Sequence, residues 1–175
     1  MSHQTDLSLL ATRVITTLSA AGQTLAVAES LTGGQLAASL TAVPGASTVF
    51  RAGIVAYATD LKHRLLGVSE ATLAEHGAVS ARTCAEMADG AAGSCAADWA
   101  LATTGVAGPD PQEGHPVGTV YIGVVGPKGD LPGVSAATRT RRLQLSGDRA
   151  TIQSETVAAV LTLLLDRVGS TAPAT

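Results

Sequence analysis

The chain is poor in charge, and the few charges that it has are nearly balanced. Of its 175 residues, 14% are charged, and the formal net charge is −3. A mildly acidic balance without a long basic run argues against a nucleic-acid surface. The one arginine cluster, Arg139, Arg141 and Arg142, has the alternation of a strand and is predicted to line a solvated face. We therefore expect no nucleic-acid partner.

Cysteines, long apolar runs and leader features are also scarce. Cys84 and Cys95 are the only cysteines, and on one continuous helix they would lie about 16 Å apart, beyond disulfide reach. No run of about 20 apolar residues predicts a membrane-spanning helix, and residues 1–7 lack the pattern of a secretion signal. No spacing of histidine, cysteine or carboxylate residues resembles a metal site. We expect a cytoplasmic protein with no membrane partner, metal or cofactor.

Lysine is the scarcest of the basic residues. Of 11 basic residues, only Lys62 and Lys128 are lysines. A lysine amine can lose its proton, whereas a guanidinium cannot. Lys62 is therefore a candidate for proton transfer, although an exposed helix lysine is the alternative. Lys128 lies in a predicted turn and is expected to be solvated.

The residues that are present alternate between apolar strands and amphipathic helices, which indicates a single α/β domain over residues 1–175. The ends, residues 1–5 and 169–175, are expected to be frayed. Strands are predicted at residues 24–28, 50–58 and 99–104, followed by an antiparallel pair at 117–125 and 135–143. Helices are predicted from about residue 7 to Gly22, at 33–40, at 61–66 with Thr59 or Asp60 as cap, from Ser69 to Gly77, from Ser80 to about Gly90, and at 148–168.

The first predicted strand runs directly into Glu29, Ser30 and the pair Gly33 and Gly34. In open α/β sheets, ligands bind outside the carboxyl ends of the strands, where helix N-termini present free N–H groups. Ser30 is therefore the first candidate for chemistry, although a helix N-cap is the alternative. The Gly-x-Ser-x-Gly context of an α/β-hydrolase nucleophile is missing.

Other candidate residues are predicted at the same edge. Tyr57 ends the second strand, five residues before Lys62. The glycine-rich loop at 105–108 follows the third strand, and with Gly33 and Gly34 it suggests a cradle for an anion. Arg149 begins the last helix and is a candidate phosphate ligand, or else a solvated arginine beside a cap. His63 and His115 are not excluded as partners of a serine nucleophile.

These motifs, in this order, resemble the CinA carboxy-terminal family, and the resemblance covers nearly the whole chain. The motifs that carry it are Ala-Glu-Ser-Leu-Thr-Gly-Gly (28–34), Gly-Ile-Val-Ala-Tyr (53–57) with Lys62, His-Gly-Ala-Val-Ser (76–80), Thr-Gly-Val-Ala-Gly-Pro (104–109), Pro-Val-Gly-Thr-Val (116–120) and Ser-Gly-Asp-Arg (146–149). The sequence departs from the pattern at Leu31, where many members have cysteine, and at Thr104, where many have serine.

The resemblance implies a three-layer α/β/α sandwich with a mixed, partly parallel sheet. It also implies amide hydrolysis of nicotinamide mononucleotide to nicotinic acid mononucleotide and ammonia, in pyridine-nucleotide recycling. Ser30 matches the nucleophile, and Tyr57 and Lys62 match the residues that activate it. The expected substrate-binding residues are Glu29, Thr32, Gly33, Gly34, Thr104, Gly105 and Arg149.

The resemblance leaves several points open. The alternative function is a non-catalytic nucleotide-binding module of the same fold, associated with competence. Glu29 either orients Lys62 or satisfies backbone donors, and the first base is either Lys62 or Tyr57. A small-molecule nucleotide substrate and a homodimer are expected. The domain that precedes this module in longer relatives is expected to be absent.

Overall fold

The computed structural model describes residues 2–127 and 138–170, with side chains for 7–127 and 138–169. Within these residues the chain forms six α-helices, one 3-10 helix and five strands. They are α1 (Ser2–Ala20), β1 (Leu25–Glu29), α2 (Gln35–Thr41), the 3-10 helix (Ala46–Thr48), β2 (Phe50–Val55), α3 (Thr59–Leu66), α4 (Glu70–His76), α5 (Ala81–Cys95), β3 (Trp99–Gly105), β4 (Thr119–Val125), β5 (Arg139–Gln144) and α6 (Arg149–Ser170).

The strands form a single mixed sheet in the order β2-β1-β3-β4-β5. β1 runs parallel to β2 and to β3, whereas β4 runs antiparallel to β3 and β5. The predicted mixed, partly parallel sheet is therefore confirmed. Because β1, β2 and β3 are parallel, their carboxyl ends meet at one edge of the sheet.

Helices cover both faces of the sheet, which gives the expected three layers. The larger apolar residues of β1, Leu25 and Val27, pack in a core with α1, α2 and α6. The intervening residues, Ala26 and Ala28, pack in a second core with α5 and with Leu66 of α3. Adjacent residues of a strand point to opposite faces of the sheet, so both alanines lie on this second face. Their small side chains let α5 approach the strands closely.

Helix α5 runs on to Cys95, so the prediction that it ends near Gly90 is wrong. Glycine disfavours a helix interior by about 1 kcal/mol relative to alanine, which is why it suggests an end. Here its lack of a side chain is required, since a Cβ on Gly90 would lie 1.7 Å from the carbonyl oxygen of Leu66. Gly90 thus lets the end of α3 rest directly on α5.

The predicted caps at the starts of α3, α4 and α5 can be compared with the structure. Ser69 and Ser80 accept hydrogen bonds from the N–H groups of Thr72 and Thr83, so both predicted caps are confirmed. The cap of α3 is Ala58 and makes no side-chain bond, so the prediction of Thr59 or Asp60 is wrong. β2 ends at Val55 rather than at residue 58, because the chain leaves the strand to enter α3.

The chain ends differ from expectation where the structure describes them. α1 includes residues 2–5 and α6 includes residues 169–170, all of which were expected to be frayed. Lys128 and the start of the strand predicted at 135–143 lie outside the described residues, and the described part of that strand is β5. In the described ranges no helix is long and apolar enough to cross a membrane.

The predictions for the two cysteines and for the arginine cluster are confirmed. Both cysteines lie on α5 and are free thiols, and burial raises the pKa of the Cys84 thiol. All three arginines of β5 are exposed, as the predicted solvated strand face requires.

Candidate active site

A cleft lies at the carboxyl edge of β1, β2 and β3, where the topology brings three connections together. Ser30 directly follows β1, Tyr57 follows β2, and the loop at 106–116 follows β3. The cleft is small and partly open, with a cavity volume of about 90 Å³. Its lining residues are Ser30, Leu31, Tyr57, Lys62, Ala78, Val79, Thr104, Gly105, Val106, Ala107, Gly108, Asp110, Gln112 and Arg149.

Ser30 and Lys62 are in direct contact in this cleft. The Nζ atom of Lys62 lies 3.1 Å from the Oγ atom of Ser30. Ser30 is fixed at the end of β1, since its N–H donates to the carbonyl of Thr103 at 3.0 Å. The N-cap of α2 is Gly34, so Ser30 does not serve as the cap that was its alternative interpretation.

Lys62 is an almost fully buried lysine, with 1% of its surface exposed. It lies on α3 four residues before Leu66, on the buried side of the helix. Its Nζ atom contacts the carbonyl oxygens of Ala56 at 2.9 Å and Tyr57 at 3.4 Å. The alternative of an exposed helix lysine is therefore wrong.

Burial changes the chemistry of this amine. Desolvation lowers the pKa of Lys62 below its usual value, and the negative charge of Glu113 opposes this shift in part. A neutral amine has two N–H groups and one lone pair. In the structure Nζ is placed as donor to all three partners, which suits the protonated amine. When the amine is neutral, the two carbonyls match its two N–H groups, and its lone pair is left to accept from the hydroxyl of Ser30. The contacts of Lys62 thus suit a base that accepts the Ser30 proton.

Tyr57 and Arg149 form a second contact, at the mouth of the cleft. The side chain of Tyr57 is 54% exposed, and its hydroxyl accepts a hydrogen bond from Nη2 of Arg149. Nη1 of Arg149 donates to the carbonyl of Gly108. In the described part of the chain, the hydroxyl of Tyr57 has no hydrogen bond to Ser30 or to Lys62. Its role in activating Ser30 therefore stays a prediction.

The loop after β3 supplies polar backbone to the cleft. Gly105 has a φ of +158° and an added Cβ would lie 2.6 Å from the carbonyl of Thr119, so only glycine fits. Thr104 is buried, and its hydroxyl donates to the carbonyl of Ala78 at 2.7 Å. Among described residues, none accepts a hydrogen bond from the N–H of Leu31, Ala107 or Gly108, all of which line the cleft.

Glu29 points away from the cleft, to the start of α2. Its carboxylate accepts hydrogen bonds from the Thr32 hydroxyl at 2.7 Å and from the N–H groups of Gly34, Leu36 and Ala37 at 2.9–3.1 Å. Of its two proposed roles, it therefore satisfies backbone donors and does not orient Lys62. None of Glu29, Thr32, Gly33 or Gly34 lines the cleft, and their substrate-binding roles stay predictions.

Sequence reasoning missed three polar residues of the loop at 106–116. Asp110 and Gln112 line the cleft, and Glu113 binds the backbone of Ala78 and Val79 behind its wall. The partners of Glu113 lie 34–35 residues away, so no local spacing indicates its role. His63 and His115 do not line the cleft with Ser30. Within the described ranges, no group of three or more metal-ligating side chains comes together.

The fold and the site together define an α/β domain with a serine–lysine pair at the edge of its sheet. The family model of the CinA C-terminal domain matches residues 7–168. The chain belongs to this family, as the sequence motifs predicted.

Individual relatives agree with the family model. A CinA-like protein of Frankia casuarinae is 55% identical over 141 residues, which cover 81% of this chain and 31% of that protein. The chain spans about a third of the length of the curated relatives that it matches.

Solved structures match the fold over nearly the whole chain. One is the competence damage-inducible protein A (ComA) of Klebsiella pneumoniae, with 33% identity and a TM-score of 0.88, covering 95% of this chain and 99% of that one. Another is the competence/damage inducible protein CihA of Agrobacterium tumefaciens, with 35% identity and a TM-score of 0.85, covering 92% and 94%.

Proposed function

We propose that this domain is an amidohydrolase that deamidates nicotinamide mononucleotide to nicotinic acid mononucleotide and ammonia. The observation that carries the proposal is the 3.1 Å contact between Ser30 Oγ and the buried amine of Lys62. Burying a lysine costs free energy, and a domain that only binds nucleotides has no need for this pair. Membership of the CinA family is consistent with this function but does not specify it.

The reaction follows from the geometry of the pair. Lys62 takes the proton of Ser30, and the Oγ atom attacks the carbon of the carboxamide. The resulting oxyanion is stabilised by the N–H groups of Leu31, Ala107 or Gly108, and such a donor typically contributes about 3–4 kcal/mol. Lys62 then gives its proton to the leaving ammonia. Water, deprotonated by the same amine, attacks the acyl-enzyme, and the amine returns this proton to the Oγ atom of Ser30 as the acid is released.

The substrate part of the proposal depends on Arg149, which we assign to the phosphate of the nucleotide. It lies at the mouth of the cleft, where its donors now contact Tyr57 and Gly108. Arg149→Ala should lower kcat/KM for the nucleotide by about 10- to 100-fold, the value of a charged hydrogen bond. The dephosphorylated riboside should be affected much less, and Arg141→Ala on β5 is the matched control. Equal losses on both substrates would contradict the assignment.

The main test is release of ammonia from nicotinamide mononucleotide, with the nucleotide product identified by mass spectrometry. Ser30→Ala should lower the rate by several powers of ten while the thermal unfolding transition is retained. Ser47→Ala, which changes an exposed serine, is the matched control. Release of ammonia at the wild-type rate by Ser30→Ala would rule out the nucleophile. Tight nucleotide binding by a wild type that releases no ammonia would favour the binding module instead.

The cytoplasmic location, the homodimer and the place in pyridine-nucleotide recycling stay predictions from the sequence.

A further inference from the structure

Glu113 is a carboxylate that the proposed reaction does not use. It lies in the loop after β3 and has a φ of +50°, which is uncommon for a residue with a side chain. Its Oε2 atom accepts hydrogen bonds from the N–H groups of Ala78 at 2.8 Å and Val79 at 3.3 Å. These two residues precede Ser80, the cap of α5, and they line the cleft. Glu113 therefore connects two separate walls of the site.

The backbone around this contact is shaped to admit the carboxylate. Gly77 has a φ of +73°, and an added Cβ would lie 2.5 Å from Oε2 of Glu113. The same segment is held at two further points, since Thr83 donates to the carbonyl of Gly77 at 2.6 Å and Thr104 donates to that of Ala78 at 2.7 Å. Residues 77–79 are thus anchored from α5, from β3 and from the loop.

The charge of Glu113 also affects the pKa of the Lys62 amine. Its negative charge raises the pKa of the Lys62 amine, whereas burial lowers that pKa by more. A catalytic base that later acts as an acid works best when its pKa is near the working pH. Burial alone would keep more of the amine neutral but would make it a weaker base, and the charge of Glu113 offsets part of this effect. The other ionisable side chains around Lys62 are those of Tyr57, Asp110 and Arg149 in the cleft, Glu86 paired with Arg82 on α5, and Asp60, His63 and Arg64 on α3 itself.

We propose that Glu113 is a positioning residue of the active site, which holds the wall at residues 77–79 and places a negative charge behind the cleft that Lys62 lines. The proposal rests on the proposed function only in so far as Lys62 is the base. Mutation can separate its two parts, which are the contact with residues 77–79 and the negative charge. Glu113→Gln keeps an oxygen that can accept both N–H groups but removes the charge. Glu113→Ala removes both.

The charge can be tested without any substrate, because the chain has only two lysines. Lysine labelled with ¹³C at Cε gives two signals in a pH titration by NMR, and Lys128→Arg assigns them. In Glu113→Gln the titration midpoint of Lys62 should move to lower pH than in the wild type. Asp166→Asn, which neutralises an exposed carboxylate on α6 in the opposite layer, should leave it unchanged. An identical Lys62 midpoint in Glu113→Gln and wild type would overturn the proposal.

Measurements of kcat and KM test the contact with residues 77–79 as well as the charge. In Glu113→Gln the acidic limb of the kcat/KM profile should move to lower pH, while KM stays close to wild type. In Glu113→Ala, KM should rise several-fold above that of Glu113→Gln. Wild-type KM and kcat in Glu113→Ala would contradict the positioning role. A wild-type protein that hydrolyses no amide would overturn the proposed function, and the NMR titration would still decide the role of Glu113.

Discussion

Glu29 and Lys62 are two ionisable side chains buried at the same edge of the sheet, and neither is more than 1% exposed. All four contacts of the Glu29 carboxylate are donors that cap the start of α2. The contacts of the Lys62 amine are two backbone carbonyls and a hydroxyl that can give up its proton. Burial alone therefore does not make a group reactive. The partners of Glu29 all lie away from the cleft, whereas Lys62 contacts a hydroxyl, that of Ser30, that lines it.

The largest effect that would test this contrast is on activity. Lys62→Arg should lower the rate of ammonia release by about 10⁴-fold or more, because a guanidinium keeps its proton and cannot act as the base. Lys128→Arg is the matched control and should retain wild-type activity. A fully active Lys62→Arg protein would show that no lysine transfers a proton here.

The next effect is on stability and concerns Glu29. Glu29→Ala should lower the free energy of unfolding by about 3 kcal/mol, because it leaves several buried donors of α2 unpaired. Glu29→Gln keeps an acceptor and should lose less. Urea denaturation measures both, and the rate per folded molecule should fall far less than in Lys62→Arg. An unchanged urea midpoint in Glu29→Ala would mean that the cap is dispensable.

The smallest effect is the pH dependence of stability that Lys62 contributes. Its pKa is lowered in the folded state, so between that pKa and its ordinary value of 10.5 the unfolded chain binds more protons. The unfolding free energy of the wild type, relative to Lys62→Met, should therefore rise with pH in this window. The slope is at most about 1.4 kcal/mol per pH unit. Parallel stability curves for the two proteins would show that Lys62 has an ordinary pKa when folded.

Much of the site was predictable because it follows from strand direction. Ser30 follows one predicted strand and Tyr57 lies at the carboxyl end of another, and parallel strands bring their carboxyl ends to one edge. Lys62 stood out because the sequence otherwise uses arginine. The caps Ser69 and Ser80 were predictable for a similar reason, since a capping side chain binds an N–H group only three residues away.

The remaining features depend on partners that are distant in sequence. Tyr57 and Arg149 are 92 residues apart, and Glu113 binds a segment 34–35 residues before it. Sequence patterns describe each side chain with its near neighbours and give no measure of these separations. The direction of Glu29 is likewise decided by how the turn at 31–34 delivers the donors of α2 to one side of the strand.

Glycine at position 90 has a consequence for engineering this protein. Helix interiors are commonly stabilised by replacing glycine with alanine, for a gain of up to about 1 kcal/mol. Gly93 is open to such a change, since an added Cβ meets no atom within 4 Å. The same change at Gly90 would drive α3 off α5 and carry the amine of Lys62 away from Ser30. Of these two glycines, three residues apart on α5, Gly93 can be replaced to raise thermal stability, whereas replacing Gly90 would lower activity.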